Sequence, residues 1–319
     1  MFNFADFVIN EEVYGELNKD LPHMHIAFGV DHWFVPPMGI MMESLLNNNK
    51  HLNISFHVFL TSMEEIDKDK LIRLSQKYEN AIIKLYTVSI ELYVGIKSPI
   101  QYYLTTASLH RFIAMSYLYP KVDKILYIDA DTCCVAPIDE LLNMQLGNCV
   151  FAAVEDGEDI AAARKKALAL DERQLYYNSG VIWADLRKWN ENNVSEKCMR
   201  LMMEREDLIY ADQDAINVVA GMYGKVIPSR YNYFGSLPNR EEDTVIIHYR
   251  SGKPWHPWFE GGLKTVWQEY KNRSLWFDWL FVPRNYREYR LMAKWSWKNK
   301  DYISSMKWYA GYIYRKVSC

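Results

Sequence analysis

The sequence predicts an α/β protein with a largely parallel central sheet and a helical region after it. Short apolar runs, which suit buried strands, alternate with segments whose apolar residues recur at helical spacing. This alternation then gives way to helical segments dense in Trp, Tyr, Lys and Arg. We therefore expect an N-terminal extension over 1–23, a main α/β domain over 24–260 and a helical C-terminal region over 261–319.

The individual elements follow from local patterns. Apolar runs predict strands at 24–30, 54–60, 81–88, 124–129, 149–156, 179–186 and 244–249. Helical spacing predicts helices at 64–78, 107–118, 195–206 and 211–221. Ligands of open α/β sheets bind beyond the carboxyl ends of the strands. The polar residues that follow these strands are therefore the candidates for function.

Composition and charge narrow the class of protein. Of the 319 residues, 50% are hydrophobic and 24% charged, which is typical of a globular chain, and the net charge of −3 gives no reason to expect nucleic-acid binding. Five cysteines without paired spacing suit a reducing compartment. The acidic N-terminus does not resemble a secretory signal, and no apolar run of about 20 residues could span a membrane. We expect a cytoplasmic protein.

The C-terminal region differs in charge from the rest of the chain. From Lys264 onward, twelve Lys and Arg stand against four acids, a net charge of +8 that leaves −11 for the remainder. Its tryptophans are Trp267, Trp276, Trp279, Trp295, Trp297 and Trp308. Cationic and aromatic side chains suit an anionic membrane surface. The alternative is that the aromatic residues form a core and the lysines a solvated face.

Two acids lie at the end of the strand predicted at 124–129. Asp129 and Asp131, on either side of Ala130, point to the same side of an extended chain, so both could bind one hard cation such as Mg²⁺ or Mn²⁺. Alternatively, one acid caps a turn and the other is solvated.

Three further motifs carry groups suited to phosphate or sugar. At the end of the last predicted strand, His248 offers a nitrogen ligand, and in the Gly/Pro turn that follows, Lys253 offers a positive charge for phosphate. A structural histidine and a solvated lysine are the alternatives. Asn178 directly precedes a predicted strand, and Asp212 and Gln213 lie near a helix start, where Asp can also be an N-cap. Such amide and carboxylate groups can hold sugar hydroxyls.

Taken together, these motifs resemble the retaining glycosyltransferases of family 8, especially the bacterial lipopolysaccharide core glucosyl- and galactosyltransferases. The motifs are, in order, LYIDADTCCVAPIDELL, YYNSGVIWADLRKW, ADQDAIN and HYRSGKPWHPW. The resemblance implies a nucleotide-diphospho-sugar transferase fold of the GT-A type, with a Rossmann-like mixed sheet and a small C-terminal helical region. It also implies a UDP-glucose or UDP-galactose donor, Mg²⁺ or Mn²⁺, a lipopolysaccharide core acceptor and a peripheral location on the inner leaflet of the inner membrane.

The resemblance also implies roles for individual residues. It makes Asp129, Asp131 and His248 the metal ligands, and Asp212 and Gln213 the catalytic positions. The donor-binding positions that it implies are Phe28, Gly29, Asp31, Arg111, Asp129, Ala130, Asp131, Glu155, Asn178, Asp212, Gln213, His248, Gly252 and Lys253. Among these, the first three correspond to uridine contacts, Arg111 lies beside the donor sugar, and Lys253 contacts the diphosphate.

Two stretches depart from the family pattern. The family often has Asn and Tyr after the acid of the first strand, whereas DHWF puts Trp33 and Phe34 there, which affects the uracil contact. The usual HYxGxxKPW is one residue shorter here, HYRSGKPW, and Gly252 could supply the turn that Lys253 needs.

The resemblance leaves both mechanism and acceptor open. Retention allows either an enzyme nucleophile or attack of the acceptor from the leaving-group face. The uncharged amide of Gln213 is a weak nucleophile, which favours the second route. Two other functions are the alternatives. The protein could be a family relative that glycosylates a soluble glycan or protein acceptor, or a noncatalytic UDP-binding protein at a membrane surface.

Overall fold

The structure, a computed structural model, describes residues 2–18, 20–97, 106–234, 243–250 and 252–317. The chain divides into two compact units. The first comprises Met1–Phe234 and Glu241–His248, and the second comprises Gly235–Arg240 and Tyr249–Cys319.

The first unit is built on a mixed sheet. Its strands are β1 (Val8–Glu16), β2 (His23–Val30), β3 (Asn53–Leu60), β4 (Ala81–Val88), β5 (Lys124–Ile128), β7 (Phe151–Glu155), β8 (Tyr177–Asp185) and β9 (Gly224–Val226), with β6 (Thr132–Cys134) and β10 (Ile246–His248) in a separate two-stranded ribbon. The order in the sheet is β1-β4-β3-β2-β5-β8-β7-β9. Only β1 and β8 run against their neighbours in the described sheet. The predicted parallel centre is confirmed at β4, β3, β2 and β5.

Helices accompany the strands of this unit. They are α1 (Val35–Asn48), α2 (Glu65–Lys77), α3 (His110–Tyr117), α4 (Asp139–Leu142), α5 (Glu158–Leu168), α6 (Leu186–Glu191), α7 (Val194–Glu204) and α8 (Ala211–Ala220). Every residue of β3 is buried, as expected for a strand inside a parallel sheet with both faces covered. The helix predicted at 107–118 begins as a 3₁₀ turn and becomes α-helical at His110.

Several elements were not predicted from the sequence: strands β1, β6 and β9 and helices α1, α4, α5 and α6. The reasons are clearest for β1 and α1. Strand β1 pairs antiparallel with β4 at the edge of the sheet, and Glu12 on it forms an ion pair with Lys68 at 2.7 Å. An exposed, charged edge strand has no apolar run to reveal it. Helix α1 begins with Val35, Pro36 and Pro37, which look like a loop. Proline is tolerated in a first helical turn because the amide hydrogens there have no partner within the helix.

The second unit is helical, as the sequence predicts. Its helices are α9 (Leu263–Arg273), α10 (Tyr286–Lys298) and α11 (Tyr302–Val317). Trp255, Trp267 and Trp279 pack together with ring centroids 5.7–6.4 Å apart, so part of the aromatic content forms a core. In the described part of the chain, no helix is long and apolar enough to cross a bilayer.

Candidate functional site

The two acids occupy the link between β5 and β6. The backbone N–H of Asp129 donates to the carbonyl of Gly180 on the neighbouring strand β8 at 2.8 Å. The hydroxyl of Thr132, the first residue of β6, donates back to the carbonyl of Asp129 at 2.7 Å. The link is therefore held at both of its ends, which fixes where Asp129 and Asp131 can point.

His248 reaches these acids through the two-stranded ribbon. It ends β10 and pairs with Thr132, so the antiparallel register places it beside Asp131. Its Nε2 lies 3.4 Å from Oδ1 of Asp131. One ligand atom each from Asp129, Asp131 and His248 lies within 4.8 Å of the others; among the described residues, these three form the only such His, Cys, Asp or Glu group.

The charges around this cluster favour a cation. Arg111, from α3, forms ion pairs through Nη2 with Asp129 at 2.9 Å and through Nη1 with Asp212 at 3.0 Å. The carboxylates of Asp129 and Asp212 thus share one guanidinium, while Asp131 lies against His248. Burial raises the pKa of Asp129, Arg111 opposes that rise, and the carboxylate of Asp131 adds to it. A divalent ion would offset this excess of negative charge, and two carboxylates with an imidazole form a donor set that suits one.

The Arg111 side chain is buried, and its guanidinium group is held by several contacts. Its guanidinium stacks over the ring of Tyr127 at 4.4 Å and donates to the carbonyls of Ser108 and Ser179. Burial disfavours its charged form, but Asp212 and Asp129 outweigh that and raise the pKa of Arg111. The side chain therefore stays cationic at any ordinary pH.

A second cluster lies beside the first and is rich in amides. Gln213 on α8 donates through Nε2 to Asp156 at 2.8 Å, and its Oε1 accepts from Asn178 Nδ2 at 3.1 Å. The hydroxyl of Ser179 donates to Asp212 at 3.2 Å. The structure thus brings Asn178, Asp212 and Gln213 together, next to Arg111.

Glu155 and Asp156 differ in their surroundings. The side chain of Glu155 is exposed at the end of β7, whereas Asp156 is buried and accepts from Asn178 and Gln213. Asp156 is not among the residues predicted from the sequence, although its place at the end of the strand predicted at 149–156 could have marked it as a candidate.

The predicted uridine positions lie at the end of β2. Phe28 is fully buried and packs against Phe56, and Gly29 allows close packing, since a Cβ there would lie 2.8 Å from the carbonyl oxygen of Ala107. Asp31 accepts from the backbone N–H groups of Trp33 and Phe34, so it caps the turn that leads into α1.

Ala130, Gly252 and Lys253 complete the predicted set. Ala130 is buried between the two acids. Gly252 and Lys253 lie in the second unit, where Nζ of Lys253 donates to the carbonyl of Tyr249 at 3.0 Å. Their role toward a diphosphate stays a prediction from the motif.

Relatives by sequence include bacterial sugar transferases. The chain is 27% identical over 317 residues to a lipopolysaccharide 1,3-galactosyltransferase of Salmonella typhimurium, covering 94% of this chain and 93% of that protein. It is 28% identical over 254 residues to a lipopolysaccharide 1,2-glucosyltransferase of Escherichia coli K12, covering 74% and 73%.

A solved structure supports the fold. The galactosyltransferase LgtC, crystallised with donor and acceptor sugar analogues, matches with a TM-score of 0.69 and 20% identity over 83% of this chain and 99% of that one. The predicted α/β fold of the GT-A type is confirmed. The sequence pattern of the family Glycosyl transferase family 8 matches residues 25–259. Because that match spans well over half of the chain, this protein belongs to glycosyl transferase family 8 and is a glycosyltransferase.

Proposed function

We propose that the protein is a metal-dependent, retaining glycosyltransferase that moves glucose or galactose from a UDP-sugar to a hexose of the lipopolysaccharide outer core, forming an α linkage. The main support is the convergence of Asp129, Asp131 and His248 beside the buried Arg111. The names of the bacterial relatives support the choice of sugar and acceptor.

In this proposal, the three converging side chains hold Mg²⁺ or Mn²⁺, which would stabilise negative charge on the departing diphosphate. Lys253 contacts the diphosphate, and Asp31 contacts the uracil base. Arg111 lies beside the donor sugar. Because Asp129 and Asp212 fix both ends of its guanidinium, Arg111 is oriented before the donor arrives.

The contacts of Gln213 favour attack from the leaving-group face. Its Oε1 already accepts from Asn178 Nδ2 and from the backbone N–H of Ser179, which weakens an already poor nucleophile. Asp212 is held between Arg111 and Ser179. We therefore assign Gln213 and Asp212 to orienting and stabilising the oxocarbenium-like centre.

The test of this proposal is substitution of one metal ligand. Asp131→Asn should lower Mn²⁺-dependent transfer from UDP-hexose to a truncated core acceptor by at least about 100-fold, because outer-shell partners of metal sites alone are worth about 10–100-fold. Mass spectrometry of the product measures the transfer. Asp159→Asn is the matched control, since Asp159 is exposed on α5. Unchanged turnover in Asp131→Asn, with a normal thermal unfolding midpoint, would refute the metal assignment.

We further propose that the protein binds the surface of an anionic membrane through α11. One side of this helix carries apolar and aromatic side chains that are 48–82% exposed: Tyr302, Ile303, Met306, Tyr309, Ile313, Tyr314 and Val317. Because most of them are spaced three or four residues apart, they lie on one face of the helix. A large exposed apolar face marks an interaction surface.

The charges of the same region support an anionic membrane as the partner. Over 286–317 there are eight Lys and Arg against two acids, and one of those acids, Glu288, is buried and paired with Arg284 at 3.1 Å. Trp297 is 62% exposed and packs edge-on against Tyr302. Exposed aromatic rings flanked by cations match the headgroup region of an anionic bilayer, as an acceptor anchored in a membrane would require.

A further inference from the structure

A chain of side-chain hydrogen bonds runs behind the candidate metal site. Nδ1 of His248 lies 2.9 Å from Oδ1 of Asn232, Nδ2 of Asn232 donates to Oδ1 of Asn178 at 2.8 Å, and Nδ2 of Asn178 donates to Oε1 of Gln213 at 3.1 Å. We call these four side chains the amide relay. Asn232 is completely buried and belongs to none of the sequence motifs.

Two backbone groups fix the direction of the amide relay. The N–H of Gly180 donates to Oδ1 of Asn178 at 3.0 Å, and the N–H of Ser179 donates to Oε1 of Gln213 at 3.1 Å. A backbone N–H can only donate, so these amides must present their oxygens to it. Asn178 therefore presents Oδ1 as an acceptor to Asn232, and Asn232 must donate through its NH₂ group.

The orientation of Asn232 then decides which ring nitrogen of His248 carries the hydrogen. With its NH₂ group turned to Asn178, Asn232 presents Oδ1 to His248, and Nδ1 of His248 must carry a hydrogen to bond with it. In the neutral ring the lone pair is then on Nε2, the nitrogen that lies 3.4 Å from Asp131. That is the nitrogen and the tautomer that a cation at this site needs.

We infer that Asn232 is a positioning residue that holds His248 in the Nδ1–H tautomer and so keeps Nε2 available for the metal. The inference rests on the proposed metal site and extends it, because the amide relay connects that site to Gln213. An outer-shell hydrogen bond of this kind fixes both the tautomer and the ring orientation of a ligating histidine.

The ring is also fixed by packing. A Cβ at Gly180 would lie 2.3 Å from Cε1 and 2.7 Å from Nδ1 of His248, so the imidazole lies directly against strand β8. Gly180 therefore provides the space for the ring. Asn232 determines which nitrogen of the His248 ring carries the hydrogen.

Mn²⁺ affinity without any donor sugar provides the test. Electron paramagnetic resonance of the full-length protein would give the dissociation constant. Asn232→Ala should weaken Mn²⁺ binding by about 10–100-fold. Asn232→Asp loses the NH₂ group that bonds to Asn178 but keeps an oxygen acceptor for Nδ1–H, so it should bind Mn²⁺ more tightly than Asn232→Ala. If both variants bind Mn²⁺ like the native protein, or if both lose it equally, the inference is wrong.

A second measurement does not depend on folding of any variant. Long-range ¹H–¹⁵N correlation spectra report which ring nitrogen of His248 is protonated in the native, metal-free protein, with His248→Gln for assignment. We expect the hydrogen on Nδ1. A hydrogen on Nε2 alone would overturn the inference.

Failure of the inference can be told apart from failure of the metal site. His248→Ala should weaken Mn²⁺ binding at least as much as Asn232→Ala does. If His248→Ala has no effect, the proposed metal site itself is refuted. If His248→Ala weakens binding and Asn232→Ala does not, the site stands and the role of Asn232 is rejected.

Discussion

Gly180 shows how much one residue can decide in this site. Its backbone N–H donates to Asn178, its carbonyl accepts from Asp129, and its missing side chain leaves room for the His248 ring. All three contacts need a strand that passes very close to its neighbours. Glycine is the residue that permits such an approach.

Gly180→Ala should therefore destabilise the protein through its clash with His248. We expect a cost of about 1–3 kcal/mol in the free energy of unfolding, as is typical of overpacking, measured by urea denaturation. The control is the same substitution in a His248→Ala background, where the added methyl group has space. An equal cost in both backgrounds would show that the contact with His248 is not the cause.

The sequence could predict part of the candidate site and not the rest. Asp129, Asp131 and His248 lie in recognisable motifs, and the structure places their ligand atoms together. Asn232 could not be found, because its partners His248 and Asn178 are 16 and 54 residues away and only the tertiary fold joins them. Which acid of the pair 155–156 points inward depends on how β7 ends, and the sequence does not reveal that.

At the scale of elements, three adjacent strands carry a row of hydrogen-bonded polar side chains, of which His57 and Tyr86 are buried and His25 is half-buried. His25 on β2 lies 3.0 Å from His57 on β3 between ring nitrogens, and His57 lies 3.0 Å from the hydroxyl of Tyr86 on β4. Burial lowers the pKa of His25 to about 4 and that of His57 well below its ordinary value. Two imidazoles that share a hydrogen bond cannot both be protonated there, because one of them must accept.

These strands should make stability depend on pH. In the unfolded chain, His25 and His57 bind protons near pH 6.5. In the folded protein the pKa of His25 is about 4 and that of His57 lies well below its ordinary value, so stability falls as pH decreases below about 6.5. His25 alone should cost about 1–2 kcal/mol by pH 5. Urea unfolding at pH 7.5, 6 and 5 measures the slope. The slope should be smaller in His57→Gln, and an unaltered slope would contradict the assignment to these strands.

Elements were predictable where burial produces a pattern. Strands β2 and β3 appear as apolar runs because neighbouring strands and helices cover them. Strand β1 and helix α1 were missed for opposite reasons: β1 is a charged edge strand, and α1 is buried almost throughout, so it lacks a polar side and begins with prolines. A periodic sequence pattern arises when one face of an element is buried and the other is exposed, and these two elements lack that difference between faces.

At the scale of the whole molecule, charge is divided along the chain. The segment from Lys264 onward carries +8 and the remainder −11. An anionic surface should therefore attract the C-terminal segment and repel the rest, which would orient the protein on a membrane.

Vesicle flotation tests this orientation. The protein should bind vesicles that contain anionic lipid, and binding should fall as salt rises. Replacing Ile303, Met306 and Val317 by Ser should weaken binding by at least about tenfold, since each buried CH₂ contributes about 0.8 kcal/mol. Serine at Ile9, Ile66 and Ile90, which are 61–71% exposed outside this segment, is the matched control. Equal binding of both triple variants would exclude α11 as the membrane contact.

The ribbon of β6 and β10 has a consequence for how the protein is made. It contains only three paired residues on each strand, and Asp131 and His248 lie at the same end of it. During synthesis, more than a hundred residues separate Asp129 and Asp131 from His248, the third candidate ligand. A cation that bound once all three side chains were present would contribute its binding free energy to the stability of the ribbon, which is too short to be stable by itself.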